Sequence, residues 1–318
     1  MAELAVQAIG FGVVTGALIA IGALGFTLQF GLTNVLNISY GGVMTAGAFA
    51  AFLAEEAHLP TVLGVFLAIA AGALLTWLLG RTLFAFYARR GAGLFEMVMV
   101  TLAVSLILQF GIDAASREQI YRFSFPQGAS LRWGWLTFTV TQLALVAVAA
   151  AVFAGLEVLL RRTKLGRALR AMADDPRLAR TCGIPTGKIV NVVWLISGAL
   201  AGLAGLAYVI NSLTIDASVG TEFLPLVLAA AILGKAGSTR GAVGAALLLG
   251  LVTEEVGALG GAQYATVAGF GILAIVLATR PAALAGQATA KAEITVLCPI
   301  TCPRSPSTSS STYCSPTR

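Results

Sequence analysis

The stretch TVLGVFLAIAAGALLTWLL, residues Thr61–Leu79, decides the fold class of this 318-residue chain. It contains no charged residue. An α-helix of this length, rising about 1.5 Å per residue, comes close to the roughly 30 Å thickness of the hydrocarbon core of a bilayer. Its apolar residues are continuous rather than alternating with polar ones, which favours a helix over a membrane β-strand. The stretch therefore predicts a transmembrane helix.

Eight further apolar runs follow the same plan, with short polar joints between them. They lie at 6–28, 35–53, 94–112, 136–160, 189–210, 223–233, 242–256 and 264–278. Only 11% of the chain is charged and its mean hydropathy is +0.90, whereas a soluble domain has roughly 25% charged residues. We expect an all-α fold, a polytopic transmembrane helical bundle of about eight or nine membrane segments.

Basic residues concentrate in alternate joints. If the helices cross alternately, 14 of the 20 Lys and Arg residues share one face, and the positive-inside rule makes that face cytoplasmic. The N-terminus is then outside and Arg280 inside. The run 223–233 is short enough to be re-entrant, in which case the last two helices invert and Arg280 lies outside, against the charge rule. No soluble domain carries the positive charge, so we do not expect nucleic-acid binding.

The sequence offers little chemistry for an enzyme. The single histidine, His58, falls in an outer joint and has no partners for a metal site or a catalytic triad. The pairs Gly187-Lys188 and Gly234-Lys235 lack the following Ser or Thr of a phosphate-binding loop. We predict no catalytic, cofactor or metal residues, and any ATP must be hydrolysed by another subunit.

The joint 161–188 reads RRTKLGRALRAMADDPRLARTCGIPTGK and is the most organised polar stretch. Residues 165–173 suit one short helix; Asp175 can cap a second, which ends before Gly183. Leu165, Leu169 and Met172 form an apolar stripe on the first helix. One interpretation is a basic loop held by anionic lipid. The other, which we favour, is a helix-turn-helix that docks on a cytoplasmic partner.

A polar segment interrupts the second apolar run near its start. In lipid these groups would be costly, so they should face protein or water. They form a polar turn at the cytoplasmic end of two helices, or line the translocation path, and both can be true. The candidates for the path are Asn34, Asn37, Ser39, Tyr40 and Gly41.

Together, the joint 161–188, the segment GLTNVLNISYGGVMTAGAFAAF at 31–52 and the segment LAAAILGKAGSTRGAVGAALLLGLVTE at 228–254 carry a resemblance. In this order they resemble the permease subunits of branched-chain amino acid ABC importers, the LivH type, over about residues 6–286. The resemblance implies that the joint seats in a cleft of the ATPase subunit. The coupling residues that it implies are Gly166, Arg167, Arg170, Asp175, Ala179 and Gly183.

The resemblance also implies a set of partners in the inner membrane of a prokaryote. These are two cytoplasmic ATPase subunits that use the ATP, a second permease subunit forming a heterodimer, and an extracytoplasmic solute-binding protein. The solute would be a branched-chain or other small amino acid. The alternative is an ATP-independent secondary transporter or channel. It is disfavoured because Glu96, Asp113 and Glu157 fall near helix ends rather than at mid-membrane.

The sequence predicts one large domain followed by a short tail. Residues 1–286 form the predicted transmembrane permease domain. Residues 287–318 are rich in Ser, Thr and Pro and share nothing with the composition of the body, so we expect a disordered tail that a reading-frame change in the gene would explain.

Overall fold

The computed structural model describes residues 2–33, 35–90, 93–116, 121–123, 128, 130–133, 136–235 and 237–279. Helices dominate this part of the chain. They are α1 (Ala2–Thr33), α2 (Ser39–Glu56), α3 (Thr61–Leu79), a π-helical turn (Gly80–Phe84), α4 (Ala85–Arg89), α5 (Leu94–Ser116), α6 (Val140–Arg162), α7 (Lys164–Asp174), α8 (Pro176–Thr181), α9 (Thr186–Ser212), α10 (Val219–Leu233), α11 (Thr239–Gly260) and α12 (Ala262–Thr279).

Within the described ranges, six helical segments are long and apolar enough to cross a membrane. They are Gln7–Thr33, Thr61–Tyr87, Phe95–Ser116, Val140–Arg162, Thr186–Ser212 and Thr239–Gly260. The polytopic helical membrane fold is therefore as the composition predicts. The predicted runs 35–53, 223–233 and 264–278 correspond to α2, α10 and α12, which are not among these six, so a count of eight or nine segments stays a prediction.

Four short strands were not predicted. Strand β1 (Tyr121–Arg122) pairs with β4 (Thr214–Ile215), and β2 (Ser130–Trp133) pairs with β3 (Leu136–Thr139). Because β3 occupies the start of the predicted run 136–160, helix α6 begins at Val140 instead, and the backbone N–H of Thr139 donates to the side chain of Gln142 (3.2 Å). The prediction of a helix was therefore wrong for residues 136–139, while the other three strands lie in predicted joints.

Helix α1 lies at the centre of the bundle and packs against α11, α9, α6 and α10. Small residues allow its close approach to α11. A Cβ built on Gly12 or on Gly16 would lie 2.8 Å from a backbone Cα of α11, that of Leu251 or Leu247. Close contact of this kind is how membrane helices gain packing energy where lipid supplies no hydrophobic driving force.

The π-helical turn joins α3 to α4 without interrupting the helix that runs from Thr61 to Tyr87. Gly80, its first residue, lies on the indole of Trp194, where a Cβ would be 2.7 Å from the ring. Phe84, its last residue, packs on the same indole with ring centroids 4.7 Å apart. The turn thereby fits two of its residues around one aromatic side chain of α9.

The basic joints lie together at one end of the bundle, which we call the basic end. The last turn of α1 approaches the joint between α10 and α11, with Gly31 close to Gly237. Arg240, at the start of α11, pairs with Glu157 near the end of α6, and α7 contacts both α1 and α9. The joint 161–188 therefore covers one end of the bundle.

Candidate functional site

The corner between α6 and α7 is built around one hydroxyl. The Thr163 hydroxyl donates to the carbonyl of Leu159 (2.5 Å) and accepts from the backbone N–H of Gly166 (3.2 Å). One side chain thus completes the end of α6 and caps the start of α7, where helices leave backbone groups without partners. The direction of α7 is fixed at its first residues.

Two predicted coupling residues hold the same corner. Gly166 is buried so close to the carbonyl of Leu160 that a Cβ would overlap it. Arg170 extends back over the corner, with Nη2 3.3 Å from the Leu160 carbonyl and Nε 3.4 Å from the Gly166 carbonyl. Both residues therefore shape the element from within.

Helix α8 has the caps that the sequence predicts. The carboxylate of Asp175 accepts from the backbone N–H of Leu178 (3.2 Å). At the other end Gly183 has φ +80°, and the N–H groups of Gly183 and Ile184 donate to the carbonyls of Arg180 (3.0 Å) and Ala179 (3.1 Å). This pair of bonds with a left-handed glycine is a common helix terminus, so the caps are confirmed.

The apolar stripe of α7 faces the bundle. Leu169 and Met172 are buried in one cluster with Ala179, Ile189 and Val193, and Leu28 and Leu32 of α1 pack on it. The stripe attaches the helix-turn-helix to the membrane helices and is not available to a partner. The predicted coupling residues that stay exposed are Arg167, Arg170, Asp175 and Gly183, whereas Gly166 and Ala179 are buried.

The polar segment before α2 is closed in on itself. The side-chain carbonyl of Asn37 accepts from the backbone N–H (3.1 Å) and the hydroxyl (2.5 Å) of Ser39, and both residues are buried. Asn34 lies outside the described residues. This geometry is the self-satisfied polar turn that the sequence allows as one of two interpretations.

The next two residues, Tyr40 and Gly41, are also packed tightly against neighbouring helices. The Tyr40 hydroxyl lies within hydrogen-bond distance of the carbonyls of Gly22 (3.1 Å) and Ser197 (3.3 Å), and the side chain is fully buried. A Cβ on Gly41 would be 2.7 Å from the carbonyl of Gly220 at the start of α10. None of the described residues of this segment from Asn37 to Gly41 lines either of the two cavities at the basic end.

Those two cavities flank the helix-turn-helix. One of about 350 Å³ lies between the end of α1, the α6–α7 corner and the α10–α11 joint, and includes Arg161, Arg170 and Arg240. The other, of about 860 Å³, lies between α1, the π-helical turn, α5 and the start of α9. Its lining includes Arg81, Arg180, Lys188, Met97 and Trp194.

Glu157 forms a clamp that sequence reasoning did not find. Its carboxylate accepts from Arg240 Nε (2.8 Å) and from the Thr239 hydroxyl (3.0 Å), and also pairs with Arg161. The clamp ties the start of α11 to α6 beside the helix-turn-helix. No local motif predicts it, because the two segments are more than 80 positions apart.

The family described as branched-chain amino acid transport system / permease component matches residues 8–279. This chain belongs to that family. The permease is 30% identical over 290 residues to the high-affinity branched-chain amino acid transport system permease protein BraD of Pseudomonas aeruginosa, covering 87% of this chain and 94% of that protein.

Other relatives extend the comparison. The permease is 25% identical to LivH of Escherichia coli K12, with the same coverage, and 26% identical to the ribose import permease protein RbsC of that organism over 77% of this chain and 76% of RbsC. Among solved structures, PsaBC from Streptococcus pneumoniae in complex with Fab covers 84% of this chain and 90% of that one at 14% identity and a TM-score of 0.48.

Membership of this family shows what class of protein the chain belongs to. The permease is a membrane-spanning subunit of an ABC importer and not an enzyme. The ATP-independent alternative is thereby set aside in favour of an importer whose energy comes from other subunits.

Proposed function

We propose that this permease conducts branched-chain or other small amino acids across the inner membrane of a prokaryote. The observation that carries the proposal is the family match over residues 8–279. Relatives named as branched-chain amino acid permeases agree over nearly their whole length. RbsC, named for ribose, is also similar, so ribose is the second solute to test.

We propose that two cytoplasmic ATPase subunits, a second permease subunit and an extracytoplasmic solute-binding protein complete the importer. The helix-turn-helix at 161–188 would seat on an ATPase. Its apolar stripe is committed to the bundle, so a rigid body with an exposed polar face is left. Closure of the ATPases would then move this body and, through the α6–α7 corner and the Glu157 clamp, the membrane helices.

We propose that the basic end faces the cytoplasm, that the N-terminus is outside and that eight or nine segments cross the membrane. The clustering of basic residues at one end of the bundle supports this orientation. Arg280 and the tail 287–318 lie outside the described residues, and we propose that the tail takes no part in transport.

We also propose that the polar segment from Asn34 to Gly41 forms the closed point of the translocation path. Its described groups are satisfied internally or packed on α10. Asn37, Ser39 and Gly41 would meet solute only after α2 and α10 separate near Gly41 and Gly220, while the Tyr40 hydroxyl holds the segment against α1 and α9.

Uptake by the purified importer in proteoliposomes tests the proposal. We expect ATP-dependent uptake of leucine, isoleucine, valine or alanine, in the presence of the binding protein, and no uptake of ribose. Uptake of ribose without any amino acid would overturn the solute assignment. Amino-acid uptake that continues without ATP or ATPase subunits would overturn the assembly.

A further inference from the structure

A ridge of polar residues runs along α5, inside one of the candidate membrane spans. Thr101, Ser105, Gln109 and Asp113 lie four positions apart, and residues at that spacing form a ridge that winds obliquely around a helix. Thr101 and Ser105 are buried, whereas Gln109 and Asp113 are half-buried. The ridge, which we call the α5 ridge, therefore emerges from the packed interior as it ascends from the basic end.

The lower end of the α5 ridge leads to the larger basic-end cavity. Met97, one turn before Thr101, lines the cavity of about 860 Å³. At the first residue of the ridge, the Thr101 hydroxyl lies 2.8 Å from the carbonyl of Val98 and 3.3 Å from that of Leu36, next to the buried Asn37. Along α5, the cavity is therefore followed first by the Thr101–Leu36 contact and then by the rest of the ridge.

The polar side chains of the α5 ridge would be unfavourable in contact with lipid hydrocarbon. Gln109 lies well inside α5, and an amide at such a position in a membrane span normally faces the bundle interior or water, whereas Asp113 lies near the end of the helix. Helix α5 has a separate face suited to lipid, where Ile107 is 70% exposed and Phe110 63% exposed. Gln109 lies on the side of the helix away from Ile107, whereas Asp113, three positions after Phe110, borders this face.

We propose that the α5 ridge lines a water-filled passage for the solute, which continues into the basic-end cavity and is closed in this structure at the Thr101–Leu36 contact. The cavity lies within the range of about 300–1,000 Å³ that small-molecule sites occupy. Its described lining carries Arg81, Arg180 and Lys188 and no acidic residue, which suits a solute with a carboxylate. This inference rests on the proposed function and deepens it.

Thiol labelling tests the passage in the assembled importer. Single cysteines replace Gln109 and, as the matched control, Ile107, in a background without the four native cysteines. A charged thiol reagent reacts with thiolate, which forms only in contact with water, so we expect position 109 to label about tenfold faster than position 107. Excess solute should slow labelling at 109 alone. Equal rates at both positions, or slow labelling at 109, would overturn the inference.

Uptake separates this inference from the proposed function. We expect Gln109→Leu to lower uptake severalfold at unchanged membrane abundance, and Phe110→Leu on the lipid-type face to leave it unchanged. Normal uptake by Gln109→Leu would refute the passage and leave the importer intact. Failure of the unaltered importer to take up amino acids would refute the proposed function, while labelling would still decide whether water reaches the α5 ridge.

Discussion

At the scale of single residues, the helix-turn-helix depends on two glycines for different physical reasons. Gly166 leaves no room for a side chain beside the Leu160 carbonyl. Gly183 has open space around it but a left-handed backbone, with φ +80°. At Gly166 the added volume of any side chain should be destabilising. At Gly183 only a residue that resists the left-handed backbone should be.

Gly166→Ala should destabilise the permease because its Cβ overlaps the backbone of α6. Overpacking of this kind costs about 1–3 kcal/mol, which we expect to appear as a lower melting temperature of the purified protein in detergent. Gly155→Ala, on α6 with nothing within 4 Å, is the matched control. Equal melting temperatures for the two variants would contradict the close corner.

Gly183→Val should weaken the end of α8, since a β-branched residue resists a left-handed backbone at a cost of about 1–2 kcal/mol. Gly183→Asn should be tolerated, because Asn adopts that backbone more readily. Co-purification of the ATPase and solute-stimulated ATP hydrolysis measure the effect, and we expect both to fall for Val alone. If Val and Asn behave alike, the backbone at Gly183 does not control coupling.

Tyr40→Phe distinguishes a structural hydroxyl from one that meets solute. The hydroxyl is shared between two buried carbonyls, so its loss should lower stability by about 1 kcal/mol while uptake per folded molecule stays unchanged. A variant with an unchanged melting temperature and reduced uptake would instead place the hydroxyl in the path.

Residue-scale features differ in how far the sequence reveals them. The caps at Asp175 and Gly183 could be predicted because each depends on bonds within a few positions. The clamp of Glu157 and the inward direction of Leu169 depend on segments distant in the chain. The clamp and the direction of Leu169 therefore cannot be predicted from composition or from the spacing of residues.

At the scale of elements, the helix-turn-helix has one face attached to the bundle and one exposed. The two faces explain why Arg167 and Arg170, three positions apart and equally basic, are not equivalent. Both side chains are exposed, but the guanidinium of Arg170 also lies 3.3 Å from the Leu160 carbonyl. Charge reversal at Arg170 would disturb the corner itself.

Arg167→Glu is therefore the cleaner probe of docking. We expect it to reduce co-purification of the ATPase severalfold without changing the melting temperature or membrane abundance. Lys235→Glu, at the basic end but outside the element, is the control. Altered insertion with full ATPase retention would favour attraction to anionic lipid over docking.

The helices themselves were largely predictable, because apolar length in a membrane leaves few alternatives. Strands β1 and β4 were not, since their pairing joins segments about 90 positions apart and carries no hydrophobic pattern. Helix α10 begins inside the predicted loop, at Val219, where the backbone N–H of Gly220 finds the hydroxyl of Thr45 on α2 (3.0 Å).

At the scale of the whole molecule, the proposed orientation rests on the distribution of charge. Single cysteines at Glu56, the last residue of α2, and at Arg180 in α8, in a background without native cysteines, test this proposal. An impermeant thiol reagent should label position 56 only from outside and position 180 only from inside. Labelling of both from the same side would contradict the assigned topology.

The π-helical turn gives the long helix Thr61–Tyr87 a place where its length is adjustable. Elsewhere in a helix, deleting one residue rotates everything that follows by about 100°. A π turn already holds one residue more than an α turn needs, so a deletion between Gly80 and Phe84 can be absorbed by reverting to α geometry. Phe84 would keep its stacking on Trp194. Evolutionary gains and losses of single residues in this helix should therefore collect at those five positions.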